Sequence, residues 1–255
     1  MDLKLEGRSA LVTGGSRGIG LAIARALKSE GVRLKLVARD PERLNRVCGE
    51  MGATALAFDL SLPENINAVV EAAGDVDILV NNAGAIPRGT LEEIDGMAWR
   101  KAWDLKVFGY IDLTRACLAR MKKRGRGVII NVIGAAADLP DPGYVAGCMG
   151  NVALNMLTRC VGADSVRHGV RVVAVNPGPI MTDRFMQGML WRAEKRFGDR
   201  ERWPEILASD LPIKRAGTVD EVASTVAFLA SDHAAYISGA AIRIDAGILA
   251  HMRTT

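Results

Sequence analysis

Short apolar runs rich in Val, Ile and Leu recur along the chain, separated by longer stretches of helical period. The runs at Ser9–Val12, Arg33–Ala38, Thr54–Phe58, Ile78–Val80, Val128–Val132, Arg171–Val175 and Ala241–Ile244 predict strands. They are nearly continuous rather than alternating, as expected of strands covered on both faces in a parallel sheet. Helical stretches near 19–30, 41–51, 63–73, 98–123, 147–167 and 219–230 lie between them. Repeated strand–helix units joined by right-handed crossovers predict an α/β fold, a doubly wound parallel sheet with helices on both faces. With no linker or repeat in view, one domain is expected over 1–255. The stretch 182–216 breaks the alternation, apolar and polar by turns, and is expected to form a helical lid.

Composition narrows the class without changing the fold. A chain of 255 residues, 49% of them hydrophobic, can bury a substantial core and is not mainly disordered. No apolar run approaches the roughly 18–20 residues that span a bilayer. Met1–Glu6 is charged and lacks the apolar stretch of a signal peptide. A cytoplasmic location and no membrane partner are therefore expected. The formal charge of +4 is spread without a block, and the densest basic stretch, Lys122-Lys123-Arg124-Gly125-Arg126, sits where a helix ends. Cations there complement the carbonyl end of the helix dipole, and no aromatics interleave them, so no nucleic-acid partner is expected. Cys48, Cys117, Cys148 and Cys160 show no metal-ligand spacing, and His168, His233 and His251 are isolated, so no metal site is expected.

Chemistry enters at Thr13-Gly14-Gly15-Ser16-Arg17-Gly18-Ile19-Gly20, which follows a strand and opens a helix. Gly14, Gly18 and Gly20 permit a tight turn and close approach to a pyrophosphate seated on the helix N-terminus. Asn81-Asn82-Ala83-Gly84, Asn176-Pro177-Gly178-Pro179-Ile180-Met181-Thr182, and Arg215-x-Gly217 followed by Glu221-Val222-Ala223 accompany it in order. Together these motifs resemble the short-chain dehydrogenase/reductase family over essentially the whole chain.

The resemblance implies a Rossmann fold, a nicotinamide dinucleotide, a small-molecule substrate, and a homo-oligomer (dimer or tetramer) pairing through the helices near 98–123 and 147–167. It implies cofactor contacts from Gly14, Ser16, Arg17, Gly18, Ile19 and Gly20, and from Asn82, Ala83 and Gly84. Pro177, Gly178 and Ile180 join them, Thr182 holds the nicotinamide amide, and Asp59 with Leu60 meets the adenine. An acidic residue ending the second strand would bind the ribose hydroxyls; here the place is Ala38, followed by Arg39, with Arg17 opposite. Two guanidiniums around a neutral site favour NADP(H) over NAD(H). Asp40, one residue further on, is the competing carboxylate.

The residues that would move the proton are not in their places. The family uses Tyr as acid, a Lys four residues later, a Ser, and an Asn on the preceding long helix. The run Gly147–Arg159 aligns without a gap to the family's Tyr-x-x-x-Lys helix, so Gly147 stands at the Tyr and Asn151 at the Lys. Gly134 stands at the Ser and Lys106 at the Asn. Gly has no proton to give and Asn no charge. Tyr144, three positions before Gly147, has a Tyr-x6 spacing to Asn151 that resembles the enoyl reductases of the superfamily. Tyr144 as acid and Lys106 as its activating cation are therefore the candidate catalytic pair. The alternatives stay open: Tyr144 as a loop aromatic over Pro140 and Pro142, and Lys106 reaching solvent over a buried stem.

Cys148 reads as a packing residue, and Asp138 and Asp141 as loop formers. In the lid, Phe185, Met186, Met189, Leu190, Trp191, Phe197 and Trp203 suit an apolar ligand or a lid packed on itself. Three functions follow: an NADP(H)-dependent oxidoreductase acting on an apolar carbonyl, alcohol or enone; an NADP(H)-binding sensor without chemistry; and a silent subunit partnering an active relative.

Overall fold

The computed structural model describes residues 2–248. Its strands are β1 (Ser9–Thr13), β2 (Arg33–Ala38), β3 (Thr54–Ala57), β4 (Ile78–Asn81), β5 (Gly127–Val132), β6 (Val170–Pro177) and β7 (Ala241–Ile244). They form one parallel sheet in the order β3-β2-β1-β4-β5-β6-β7. Every strand lies within two residues of its predicted bounds.

Because successive strand residues face opposite sides, each apolar run feeds two cores. Ala10, Val12, Leu36, Ile78, Val80, Ile130 and Val173 face one layer, with Ile23 and Leu27 of α1 (Gly18–Ser29), Leu44 of α2 (Pro41–Met51) and Val226 of the late helix Val219–Ala230. Leu11, Val37, Leu79, Ile129 and Val172 face the other, with Val69 of α3 (Pro63–Ala73) and Leu113 and Met121 of the long central helix. That explains why the strands read as continuous apolar runs.

The central helix is not uniform. It consists of α4 (Gly96–Trp103), a π-helical turn at Asp104–Phe108 and α5 (Gly109–Arg124). Nothing in the sequence marks that turn, and it carries Lys106. It is followed by α6 (Val145–Ser165), then by the lid helices α7 (Asp183–Phe197) and α8 (Trp203–Asp210), and by α9 (Val219–Ala230). The start of α9 accounts for another motif. Thr218 and Glu221 form a reciprocal capping box, and Arg215 donates to both oxygens of Glu221, at 3.0 and 2.7 Å. Arg215, then the Thr218 amide, hold the Glu221 carboxyl down to about 2.

The lid buries its apolar set in its own core: Met189, Ala193, Ile206 and Leu207, with Phe185, Phe197 and Trp203 against them. Trp191 is exposed, with the Lys195 ammonium 4.4 Å above its ring. The lid's composition is thus explained by self-packing, and the expectation of an apolar ligand loses its basis there. No helix among the described residues is long and apolar enough to cross a membrane.

A buried polar layer runs through the sheet beneath the switch point. Asn81 Nδ2 donates to Asn131 Oδ1 at 2.9 Å and to Thr114 Oγ1 at 3.1 Å, and Asn131 Nδ2 donates to Thr158 Oγ1 at 3.0 Å. These bonds tie β4 to β5, and both strands to α5 and α6 on one face. Asn131→Leu should therefore destabilise the fold by about 1–3 kcal/mol, since it strands partners in a water-free layer. Denaturant titration with an unchanged m-value would register this.

Candidate active site

β1 and β4 are neighbours, yet their following connections leave in opposite directions, opening a crevice at the carboxyl ends of the strands. A cleft of about 880 Å³ occupies it. Gly14, Ser16, Arg17, Gly18, Ile19 and Gly20 form one wall. Asn82, Ala83 and Gly84 form the opposite one, and Arg39, Leu60 and Thr182 close the ends.

The two walls are bonded together at their roots. Thr13 Oγ1 accepts the backbone amides of Asn82 and Ala83 at 2.9 and 3.0 Å, while Asn82 Nδ2 donates to the Thr13 carbonyl at 2.9 Å. Gly14 turns at φ +67°, and a Cβ there would lie 2.9 Å from Asn82 Nδ2; one at Gly20 would overlap the Gly14 carbonyl. No side chain caps α1, so its first-turn amides face the cleft as a site for an anion. A glycine cradle and an uncapped helix end fit a dinucleotide pyrophosphate.

At the adenine end Arg39 Nη1 stands 3.9 Å from Asp59 Oδ2, and Asp59 Oδ1 is taken by the amide and hydroxyl of Ser61 at 3.0 and 2.7 Å. Asp40 caps α2, accepting from the Arg43 amide at 3.1 Å. Arg43 also lines the cleft, a third guanidinium that the sequence reading missed. Its signal was available: it lies one turn into the helix that starts beside Arg39. Pro177, Gly178 and Ile180 are not among the residues lining this cleft. Pro177 ends β6, the Gly178 amide bonds the Ile244 carbonyl at 2.9 Å, and buried Ile180 bridges to Gly217.

At the other end the missing side chains leave volumes that neighbours fill. A Cβ at Gly147 would fall inside the phenol ring of Tyr144, upon Cε1 and Cζ. Tyr144 caps α6, and its ring packs on Ile86, Ile94, Ala102 and Ala146. Gly134 adopts φ +140°, which side-chain-bearing residues rarely take. The amide of buried Asn151 fills the space there, with Nδ2 3.1 Å from where a Cβ would be and 3.4 Å from the Gly134 carbonyl. Asn151 Oδ1 is buried without a partner among the described residues. Lys106 runs past Gly84, where a Cβ would lie 2.9 Å from its Cδ, and its Nζ donates to the Ile133 carbonyl at 2.7 Å.

The chain has three tyrosines. Tyr110 is buried and donates to the Val132 carbonyl at 2.9 Å, and Tyr236 is fully exposed. Tyr144 alone combines partial burial with a hydroxyl that makes no hydrogen bond among the described residues. Burial raises its pKa, while the Arg184 and Arg88 guanidiniums pull it back. Arg88 lies 5.3 Å from the ring centroid, and Arg184 lines the cleft and donates to the Ile86 carbonyl. Neither arginine was anticipated, because their sequence distance from Tyr144 hides the contact. Trp103 is a buttress: its Nε1 donates to the Ala146 carbonyl at 3.0 Å. Cys148 lies 3.6 Å from the Leu139 carbonyl through its sulfur.

Residues 14–249 match the family described as enoyl-(acyl carrier protein) reductase. The chain is 35% identical to 2-(S)-hydroxypropyl-CoM dehydrogenase 3 of Xanthobacter autotrophicus, over 98% of this chain and 100% of that one. It is 33% identical to the 3-oxoacyl-[acyl-carrier-protein] reductase of Vibrio cholerae, over 96% and 99%. The structure of L-sorbose reductase from Gluconobacter frateurii, complexed with NADPH and L-sorbose, superposes with a TM-score of 0.90 at 33% identity, over 98% and 99%. The chain belongs to the short-chain dehydrogenase/reductase family. It is an oxidoreductase by family, on a Rossmann-like sheet.

Burial, and then Arg184, push the Lys106 ammonium down to about 8 from its ordinary 10.5. Below pH 8 both folded and unfolded chains carry the charge, so the folded state bears the full desolvation cost. Between 8 and 10.5 only the unfolded chain holds the proton, and the cost fades as pH rises. The gap corresponds to about 3 kcal/mol, less about 1 for the bond to Ile133. Lys106→Met should therefore be the more stable protein at pH 7, with its advantage shrinking as denaturation is repeated towards pH 10.

Proposed function

We propose that the chain is an NADP(H)-dependent oxidoreductase of a small carbonyl, alcohol or enone, with Tyr144 as its relocated proton donor. The reading rests on one observation: the Tyr144 ring fills the volume above Gly147, with its hydroxyl free. The family's acid projects from the position of Gly147, so a phenol reaching the same volume from three residues upstream serves the same carbonyl.

A bound reduced nicotinamide supplies the hydride. Tyr144 gives its proton to the oxygen that becomes an alkoxide, and burial keeps the phenol protonated at neutral pH until then. Arg184 and Arg88 stabilise the phenolate left behind. Asn151 braces the backbone at Gly134. Arg17, Arg39 and Arg43 around neutral Ala38 support the choice of NADP(H). An exposed apolar stripe on α6, Met149, Val152 and Met156, supports a homo-oligomer. The relatives named above carry dehydrogenase and reductase names, which weighs against the sensor and silent-subunit readings.

Two sets of variants test this. Tyr144→Phe should lower turnover by about two orders of magnitude or more, the scale of a lost general acid, with nucleotide affinity unchanged. Gly147→Ala should lower turnover in the same way by displacing the ring. Unchanged turnover in Tyr144→Phe would end the proposal. Separately, Arg39→Ala should cut the preference for NADPH over NADH by about tenfold to a hundredfold, the worth of a lost charge-assisted bond. Titration of tryptophan fluorescence with each nucleotide measures it.

A further inference from the structure

Arg184 lines the cleft, and Lys106 runs past Gly84 on its wall. Each donates to a neutral backbone carbonyl, Arg184 to Ile86 and Lys106 to Ile133, and neither forms an ion pair among the described residues. Arg88, the third cation near Tyr144, is answered by the Asp141 carboxylate. Asp183 lines the same cleft and likewise enters no ion pair, at the start of α7, where a carboxylate complements the helix dipole. Like charges close enough to disfavour each other, in a site partly withdrawn from water, are costly unless an anion arrives. Arg184 lines the cleft with Gly84, Ala85 and Thr182, and most of its N–H donors have no acceptor among the described residues, while the Lys106 ammonium lies behind Gly84 on the Ile133 carbonyl.

We propose that the substrate carries a carboxylate close to its reacting carbonyl, and that Arg184, with Lys106 beside it, holds that carboxylate next to Tyr144. This rests on the reading of the cleft as a reductase site and names its substrate class: oxo acids and hydroxy acids. A guanidinium offers a forked pair of donors that matches a carboxylate in one orientation, so the contact would also aim the adjacent carbonyl. The dinucleotide does not need these cations for its phosphates, since the uncapped start of α1 and Arg17, Arg39 and Arg43 lie along the other part of the cleft.

The test separates binding from turnover. Calorimetric titration of the protein saturated with NADP+ would compare oxamate, which mimics an oxo acid, with its uncharged analogue methyl oxamate. Initial rates with straight-chain 2-oxo acids and with their methyl esters would run in parallel, on wild type, Arg184→Gln and Arg184→Lys. The expected result is that oxamate binds wild type about tenfold or more tighter than methyl oxamate, the scale of a charge-assisted hydrogen bond. The preference should fall towards parity in Arg184→Gln and be partly kept in Arg184→Lys, with NADPH affinity unchanged in both as the check on folding. Equal binding of the two probes, or a preference that survives Arg184→Gln, would overturn it. Esters turned over as well as acids would remove the carboxylate site and leave the reductase. Carboxylate-selective binding without turnover of any carbonyl would do the reverse.

Discussion

Everything at the cleft depends on how the ends of β1 and β4 are held. Thr13 is the last residue of β1, and its hydroxyl accepts two amides from the segment leaving β4. Those bonds, with the Asn82 amide returned to the Thr13 carbonyl, fix the separation of the two walls before any ligand arrives. The glycine turn can then be tight because nothing in its path carries a Cβ. Beneath it, the Asn81–Asn131–Thr158 layer stops the strands from sliding, since a slip would leave buried donors unmatched. The cleft is preformed by backbone and buried polar groups, not by the exposed side chains that line it.

At the proton-transfer end the same rigidity has a different result. Four positions differ from the family's pattern, and neighbouring side chains take up the volumes there. The Tyr144 ring takes the space at Gly147, the Asn151 amide takes the space at Gly134, and the Lys106 stem lies against Gly84. A large side chain from one place requires the absence of a side chain at another. Close packing makes such pairs obligatory, because an empty volume and an overlapping one are both unfavourable.

Much of this was legible in the sequence. Strand bounds, helix bounds and sheet class followed from apolar runs that a two-faced parallel sheet imposes. The glycine turn and the segment after β4 could be assigned to one crevice because their glycines have a steric purpose. The π-helical turn around Lys106 was not legible, since an extra residue per turn leaves no trace in a hydrophobic pattern. Arg88 and Arg184 were missed because their relevance comes from tertiary approach, 56 and 40 residues from Tyr144. The lid's Met, Phe and Trp residues were ambiguous for a related reason: composition cannot say whether an apolar face meets a ligand or another helix of the same excursion.

The shared volume of Tyr144 and Gly147 also constrains substitution at either position. A tyrosine restored at 147 would collide with the ring already there, and loss of that ring alone would leave no phenol in the site. Neither change by itself recovers the family's usual arrangement, which also needs side chains that Gly134, Asn151 and Lys106 do not supply. Steric exclusion couples the two positions, so a side chain gained at 147 has to be answered by a change at 144.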